Sequence, residues 1–146
     1  MKYTMKGTLR LIAGLVAGCV SAVAIADAGF SLLRASWPAY AAAEPHRAYT
    51  LAMLFSRLTI GALCTAGAAC VTTIIAGDNG RAAWWLGGFF VVISLPSHLY
   101  YVWKDYPVWY HFVYLSYLVP IAGLTARLLR GARRSRPSYR FKDVAA

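Results

Sequence analysis

The sequence predicts an all-α fold, an integral membrane up-down four-helix bundle, and three observations support this. Four apolar stretches run through the 146 residues, at about 9–33, 49–76, 82–101 and 107–129. A helix needs about 20 mostly apolar residues to cross the hydrocarbon layer, and each stretch reaches that length. Charged residues make up only 14% of the chain, whereas soluble domains carry about 25%. The third observation is that positive charge gathers at one end of each stretch.

That charge distribution predicts the orientation. Eleven of the fifteen basic residues would share one side of the membrane after four crossings: Lys2, Lys6, Arg10, Arg81, Arg127, Arg130, Arg133, Arg134, Arg136, Arg140 and Lys142. Short flanks rich in Lys and Arg stay in the cytoplasm, so both termini are predicted to be cytoplasmic. The net charge of +10 is then a topology signal and an attraction to anionic lipids at the basic tail, and nucleic acid is not the expected partner.

The first stretch also carries two patterns typical of processed segments. Ala24-Ile25-Ala26 resembles a signal-peptide cleavage site, and Val16-Ala17-Gly18-Cys19 resembles the tetrapeptide that precedes a lipidated cysteine. Small residues recur by chance in an Ala- and Gly-rich helix, and apolar sequence resumes after Asp27. We therefore expect the first helix to be retained.

The rest of the chain is organised as one domain over residues 1–130 and a basic cytoplasmic tail over 131–146. Arg34–Ala48 contains two prolines and is predicted to be turn-rich, whereas 77–80 and 102–106 are short turns. Short connections place consecutive helices side by side and antiparallel. A strand interpretation fails because these runs lack the alternation of a membrane barrel.

Small residues recur every fourth position along one face of the first helix: Gly14, Gly18, Ala22 and Ala26. Such spacing lets two helix backbones approach closely in lipid. The face either packs on the second helix of the same chain, which we favour, or forms a dimer interface.

Aromatic and polar side chains are most concentrated where the third helix leads into the fourth. Trp and Tyr prefer the membrane interface, which explains most of them. His98 and His111 flank this hairpin symmetrically, and Tyr110 and Tyr114 lie nearby on the last helix. We interpret these four residues as a polar cluster at the outer interface with a hydrogen-bonding role, because two histidines without a further ligand are a weak metal signal.

Asp27 and Arg57 are the ionisable residues most clearly inside the apolar stretches. A lone charge in the membrane costs several kcal/mol, so such residues normally face the bundle interior. Both lie at similar depth from the outer ends of their helices, and we expect them to form an intramembrane ion pair. A transport path and separate snorkelling to the interface are the alternatives.

No sequence motif assembles a nucleophile with a base or a phosphate-binding loop. Cys19, Cys64 and Cys70 are odd in number and lack metal-ligand spacing, so they are interpreted as small apolar residues. We therefore expect no catalytic residue, no metal site and no cofactor.

The layout resembles small uncharacterised four-helix inner-membrane proteins of bacteria. The residues behind the resemblance are the apolar run 11–18 after a basic start, the segment 106–110 that enters the last helix, and 118–123 near its end. The resemblance implies a multi-pass protein of the bacterial inner membrane and no activity. The function expected is a noncatalytic accessory or structural membrane component, with another membrane protein or a second copy as partner. The alternative is a small oligomeric transporter or channel that uses Asp27 and Arg57 and two helix-kinking prolines.

Overall fold

The computed structural model describes residues 5–134, and every regular element in that range is helical. This confirms the predicted all-α fold class. The helices are α1 (Met5–Ser36), α2 (Pro38–Ala43), α3 (Leu51–Ala76), α4 (Arg81–Pro96) and α5 (Val108–Arg134). A 3₁₀ turn (Glu44–His46) follows α2, and a π-helical turn (Ser97–Tyr101) continues α4. Four of these, α1, α3, α4 with its π turn, and α5, are long and apolar enough to cross a membrane.

The helix ends differ from the predicted ones because hydropathy marks the apolar part of a helix and not its full length. α1 extends four residues before and three residues beyond the predicted 9–33. α5 continues to Arg134, so the start of the predicted tail is helical. Arginine and alanine are good helix formers and carry the helix past its apolar part. Residues 135–146, the rest of that tail, lie outside the described residues.

Contacts between the helices show that consecutive long helices run antiparallel. Thr72 of α3 donates a hydrogen bond from Oγ1 to the carbonyl of Gly14 in α1, at 2.9 Å. Farther along the same pair, Gly29 lies against Ile60. Increasing residue numbers on α1 thus meet decreasing numbers on α3. The same reversal relates α4 to α5, where Gly87 lies against Ala122 near one end and His98 meets His111 near the other.

The small-residue face of α1 packs against α3. A Cβ atom added at Gly14 would lie 3.0 Å from the carbonyl oxygen of Thr72, and one at Gly18 would lie 3.0 Å from that of Ala68. The structure thus contains the favoured alternative, in which this face packs on α3 of the same chain. Beside it lies a core of fully buried residues: Ala68, Ala69, Ala83, Leu86, Ala122 and Ala126. We call this half of the bundle, which carries Arg81 and Arg130, the basic half.

The connection between α3 and α4 is a tight turn, as predicted. Gly77, Asn79 and Gly80 have φ values of 62°, 60° and 83°, in the left-handed region that glycine and asparagine tolerate. The Asp78 carboxylate accepts hydrogen bonds from the backbone amides of Gly80 and Ala82, at 3.1 and 2.7 Å. These bonds fix the direction in which α4 begins.

The connection between α1 and α3 is more structured than the turn-rich segment that the sequence predicted. Pro38 begins α2, where its fixed φ and missing N–H suit the first helical turn. Alanines continue the helix, and Tyr40 is fully buried against the ends of the long helices. We call this opposite half of the bundle, which carries α2 and the α4–α5 hairpin, the aromatic half.

Candidate ligand-binding cavity

A cavity of about 410 Å³ lies inside the aromatic half, between all four long helices. We call it the aromatic cavity. Mostly apolar residues of α1 and α3, together with Arg57, form one wall, and side chains of α4, its π turn and α5 form the other. The lining residues include Ala26, Arg57, Cys64, His98, Tyr106, Tyr110 and Tyr114.

The tyrosines of α5 leave this space because they stack on one another along one face. The ring centroids of Tyr110 and Tyr114 lie 6.4 Å apart in a stacked arrangement. Gly61 of α3 makes room for them, since a Cβ atom there would lie 3.1 Å from the Tyr114 ring. Tyr117 donates a hydrogen bond to the carbonyl oxygen of Leu58, at 3.1 Å. Rigid rings cannot fill an irregular volume as alanines do, so a gap remains.

The π turn after Pro96 places His98 in the wall of the cavity. In this turn the backbone N–H of Val102 bonds the carbonyl of Ser97, five residues earlier, at 3.0 Å. Such a turn inserts an extra residue and rotates the side chains that follow. His98 is consequently buried, whereas Leu99 and Tyr100 beside it are exposed.

The structure brings His98 and His111 together. Their Nδ1 atoms lie 2.8 Å apart, and both side chains are buried. The Tyr114 ring stacks on His98 with a centroid separation of 4.5 Å, and the Trp103 ring stacks on His111 at 4.8 Å. Within the described residues, Nε2 of His111 is buried without a hydrogen-bond partner. His98, His111, Tyr110 and Tyr114 therefore form one cluster at the aromatic end.

Arg57 enters the cavity from α3, and aromatic side chains surround it. Its Nη1 donates hydrogen bonds to the hydroxyls of Tyr40 and Tyr49, at 2.5 and 3.3 Å. The guanidinium lies 4.8 Å from the ring centroids of both Phe30 and Tyr49, a favourable cation–π distance. Its Nε is buried and has no partner among the residues that the structure describes.

The carboxylate nearest to Arg57 belongs to Glu44, and Glu44 serves two arginines. Glu44 Oε2 accepts a hydrogen bond from Arg34 Nε at 2.6 Å, whereas Oε1 lies 3.9 Å from Arg57 Nη1. A separate ion pair joins Arg47 to Asp105. One carboxylate is thus shared between two guanidinium groups, and the cluster of Arg34, Arg57 and Glu44 has a net charge of +1.

The tyrosine hydroxyls beside Arg57 do not supply the missing negative charge. Burial raises the pKa of Tyr40, and burial also raises the pKa of Tyr106. Raised values keep both phenols protonated and neutral around pH 7. Tyr40 accepts a hydrogen bond from the guanidinium, the Tyr106 ring centroid lies 5.6 Å from it, and neither phenol compensates its charge.

Asp27 does not meet Arg57, so the expected ion pair is corrected. Gly29 of α1 faces α3 through Ile60, and Asp27 lies two residues earlier. Each helical residue rotates by about 100°, so Asp27 is turned away from the face of α1 that meets α3. Asp27 is exposed there, and Glu44 from the preceding connection is the acidic neighbour of Arg57 instead. Similar depth along two helices does not ensure contact, because the facing direction of each side chain also decides it.

The cysteines remain separate thiols in the structure: Cys64 is buried, and Cys19 and Cys70 are partly buried. Across residues 5–134, no group of three or more His, Cys, Asp or Glu side chains is arranged to hold a metal ion. The aromatic cavity thus offers a partly buried cation, tyrosine side chains and the His98 imidazole within largely apolar walls. No family model, no curated protein and no solved structure matches this chain.

Proposed function

We propose that this chain is a noncatalytic multi-pass membrane protein that binds an amphiphilic monoanion, a carboxylate head on an apolar chain, in the aromatic cavity. The carrying observation is Arg57, a partly buried guanidinium whose Nε is buried without a partner and whose acidic neighbour among the described residues is engaged by Arg34. A buried charge is costly until it is paired, and a ligand carboxylate would pair it.

The walls of the cavity favour an apolar body behind that head group. Phe30, Ile60, Phe90 and Leu118 contribute to the lining, and the volume of about 410 Å³ falls in the range of small-molecule sites, roughly 300–1,000 Å³. Ligand sites of this kind combine apolar walls with a few placed polar groups. A charged head beside Arg57 and an apolar chain among these residues would satisfy both parts.

The basic half favours binding over conduction. Below the cavity, Ala68, Ala69, Leu86 and Ala122 are fully buried and pack together, and a close-packed core of this kind argues against a continuous path. The transporter alternative relied on Asp27 as well as Arg57, and Asp27 is exposed and forms no ion pair with Arg57. A noncatalytic role as a membrane component that binds a ligand requires neither an open path nor a second charge.

Large apolar side chains on the outer surface support insertion in a membrane. Leu9, Val20, Val92 and Leu128 are each more than 60% exposed, on three different helices. Exposed apolar surface on this scale suits lipid and not water. The resemblance to small bacterial proteins supports the inner membrane as the location, and the basic flanks support cytoplasmic termini.

Cysteine-accessibility labelling in cells tests this orientation. In a background with the three native cysteines replaced, a cysteine at Ala42 should react with an impermeant reagent from outside, and one at Ser138 should react only after lysis. Ala42 lies on the exposed side of α2. The reverse labelling pattern would overturn the orientation and leave the ligand proposal to be tested separately.

Direct binding of radiolabelled palmitate to the full chain in nanodiscs of neutral lipid tests the ligand class. We expect saturable binding, with hexadecanol competing at least about tenfold less well because it lacks the charge, since a charge-assisted hydrogen bond contributes about 1.5–3 kcal/mol. Equal competition by hexadecanol, or no saturable binding, would refute a carboxylate site.

Three variants separate a charge effect from general damage. Arg57→Gln should weaken palmitate binding by about tenfold or more. Glu44→Gln should tighten binding, because it removes the carboxylate that competes for Arg57. Asp27→Asn is the matched control, since it removes one negative charge at an exposed position and should leave affinity unchanged. Weaker binding in Glu44→Gln would contradict the proposal even if Arg57→Gln behaves as expected.

A further inference from the structure

A second, smaller cavity lies at the tip of the basic half, where the end of α3 and its turn meet the last turns of α5. Its volume is about 130 Å³, and the residues around it are Thr73, Gly77, Asn79, Leu129, Arg130 and Arg133. Two arginines, a hydroxyl and an amide thus face one space, and none of these residues is acidic.

Two buried polar atoms beside this cavity have no partner among the described residues. Thr73 is only 4% exposed, yet its Oγ1 makes no hydrogen bond. The Nε atom of Arg130 is likewise buried without a hydrogen-bond partner. A buried unpaired polar atom costs about 1–3 kcal/mol, so native structures seldom retain one without a reason.

Thr73 is unlike the other threonines of its helix. Thr59 and Thr65 each donate a hydrogen bond to the carbonyl four residues earlier, Phe55 and Gly61, at 2.9 Å. Thr72 donates to Gly14 of α1. Thr73 is among the residues around the cavity, and its hydroxyl makes no such bond.

Among the described residues, no ion pair joins a carboxylate to Arg130 or Arg133. Asp78 lies in the adjoining turn, but its oxygens accept hydrogen bonds from the backbone amides of Gly80 and Ala82. The Asp78 side chain is thus held within the turn. The positive charge of Arg130 and Arg133 remains available to an external anion.

We propose that Thr73, Asn79, Arg130 and Arg133 form a binding site for a phosphate group. Guanidinium groups match phosphate oxygens with two parallel N–H donors, and hydroxyl and amide donors complete such sites. The cavity lies where α3 ends and the apolar part of α5 gives way to arginines, at the level of lipid head groups. The phosphate comes either from an anionic phospholipid or from a soluble phosphate, and the site is independent of the aromatic cavity.

Two binding measurements on the full chain in neutral detergent distinguish these sources. Native mass spectrometry with phosphatidylglycerol should show one retained lipid, and diacylglycerol, which lacks the phosphate, should not be retained. Titration with inorganic phosphate should raise the unfolding temperature if the head group alone suffices. Retention of phosphatidylglycerol without a rise in unfolding temperature on adding inorganic phosphate assigns a lipid site. Retention together with such a rise assigns a general phosphate site, and the absence of both effects overturns the proposal.

Arg127→Gln provides a matched control for Arg130→Gln. Arg127 lies three residues earlier on the same helix, is exposed, and stacks over Trp84 away from the cavity. Arg130→Gln should lower affinity by about tenfold, the loss of one charge-assisted contact, and Arg127→Gln by less than about twofold. Equal losses in both variants would mean that only the general positive field binds the anion.

Thr73→Val removes the hydroxyl and keeps the shape of the side chain. Because Oγ1 is unpaired, the variant should unfold at the same or a higher temperature in the absence of phosphate, and its phosphate affinity should fall by about threefold or more. A lower unfolding temperature without phosphate would show that the hydroxyl already has a protein partner, and the site as drawn would be wrong.

Discussion

The basic half and the aromatic half of the bundle use the same four helices and pack them in different ways. In the basic half, glycine and alanine bring the backbones together, as where Gly18 meets Ala68, and the core is completely buried. In the aromatic half, tyrosine and histidine rings separate the helices and leave about 410 Å³ between them. The same α1 lines both regions, so the difference comes from its neighbours.

This difference shows how one bundle can combine a rigid part with a receptive part. Small residues allow backbones to approach, and in lipid such close packing is a main source of helix association. Large rings supply polar tips such as the hydroxyls of Tyr40 and Tyr49, which hold a charge in place. Stability is expected to depend on the basic half, and ligand specificity on the aromatic half.

The largest expected effect is on the small-residue contact. Gly18→Val should lower the free energy of unfolding by about 3 kcal/mol, because its side chain would collide with the Thr72 hydroxyl and the Ala68 carbonyl. SDS titration of the purified protein measures this change. Gly88→Ala is the control, since a Cβ atom there meets nothing within 4 Å. Equal behaviour of the two variants would contradict tight packing in the basic half.

A smaller effect is expected from the imidazole pair. His98→Leu should lower the free energy of unfolding by about 2 kcal/mol, because it leaves Nδ1 of His111 buried without a partner. His98→Leu with His111→Leu should recover part of that loss, since no orphaned nitrogen remains. The same SDS titration measures both, and strictly additive losses would mean that the two rings contribute separately.

The smallest effect on stability is expected where space already exists. Ala26 lies on the same face of α1 as Gly18 but lines the aromatic cavity. Ala26→Leu places a larger side chain there. We expect a change in unfolding free energy of less than about 1 kcal/mol, because filling a cavity offsets the cost of a larger side chain. Palmitate binding should nevertheless fall, because the leucine occupies ligand volume. A loss of stability as large as that of Gly18→Val would remove the distinction between the two halves.

Hydropathy and the spacing of small residues predicted most of the fold, because both report directly on the solvent and on backbone distance. Gly14 and Gly18 contact α3 as favoured, and the turn at Gly77 adopts the positive φ expected of it. The six-residue helix α2 was missed because a short segment carries little periodicity, although Pro38 followed by alanines is a recognisable start signal.

The candidate site was predicted only in part. The symmetric positions of His98 and His111 around a hairpin indicated their contact, since sequence distance from a turn translates into height on both helices. Arg57 was identified, but its acidic neighbour was not, because Glu44 reaches it from a connection whose path the sequence does not specify. The phosphate site was also missed, since Thr73 is notable only for a hydrogen bond that it does not make.

The imidazole contact also limits how protons move through this protein. A hydrogen bond between two Nδ1 atoms holds one proton, so one ring donates and the other accepts, and in a neutral pair the Nε2 atoms take the opposite roles. Passing a proton along the pair would require a donor or acceptor beyond His111 Nε2. Within the described residues that atom is buried without one, and the Trp103 ring stacks on the same imidazole. The two rings therefore form a closed end beside the cavity instead of a proton wire.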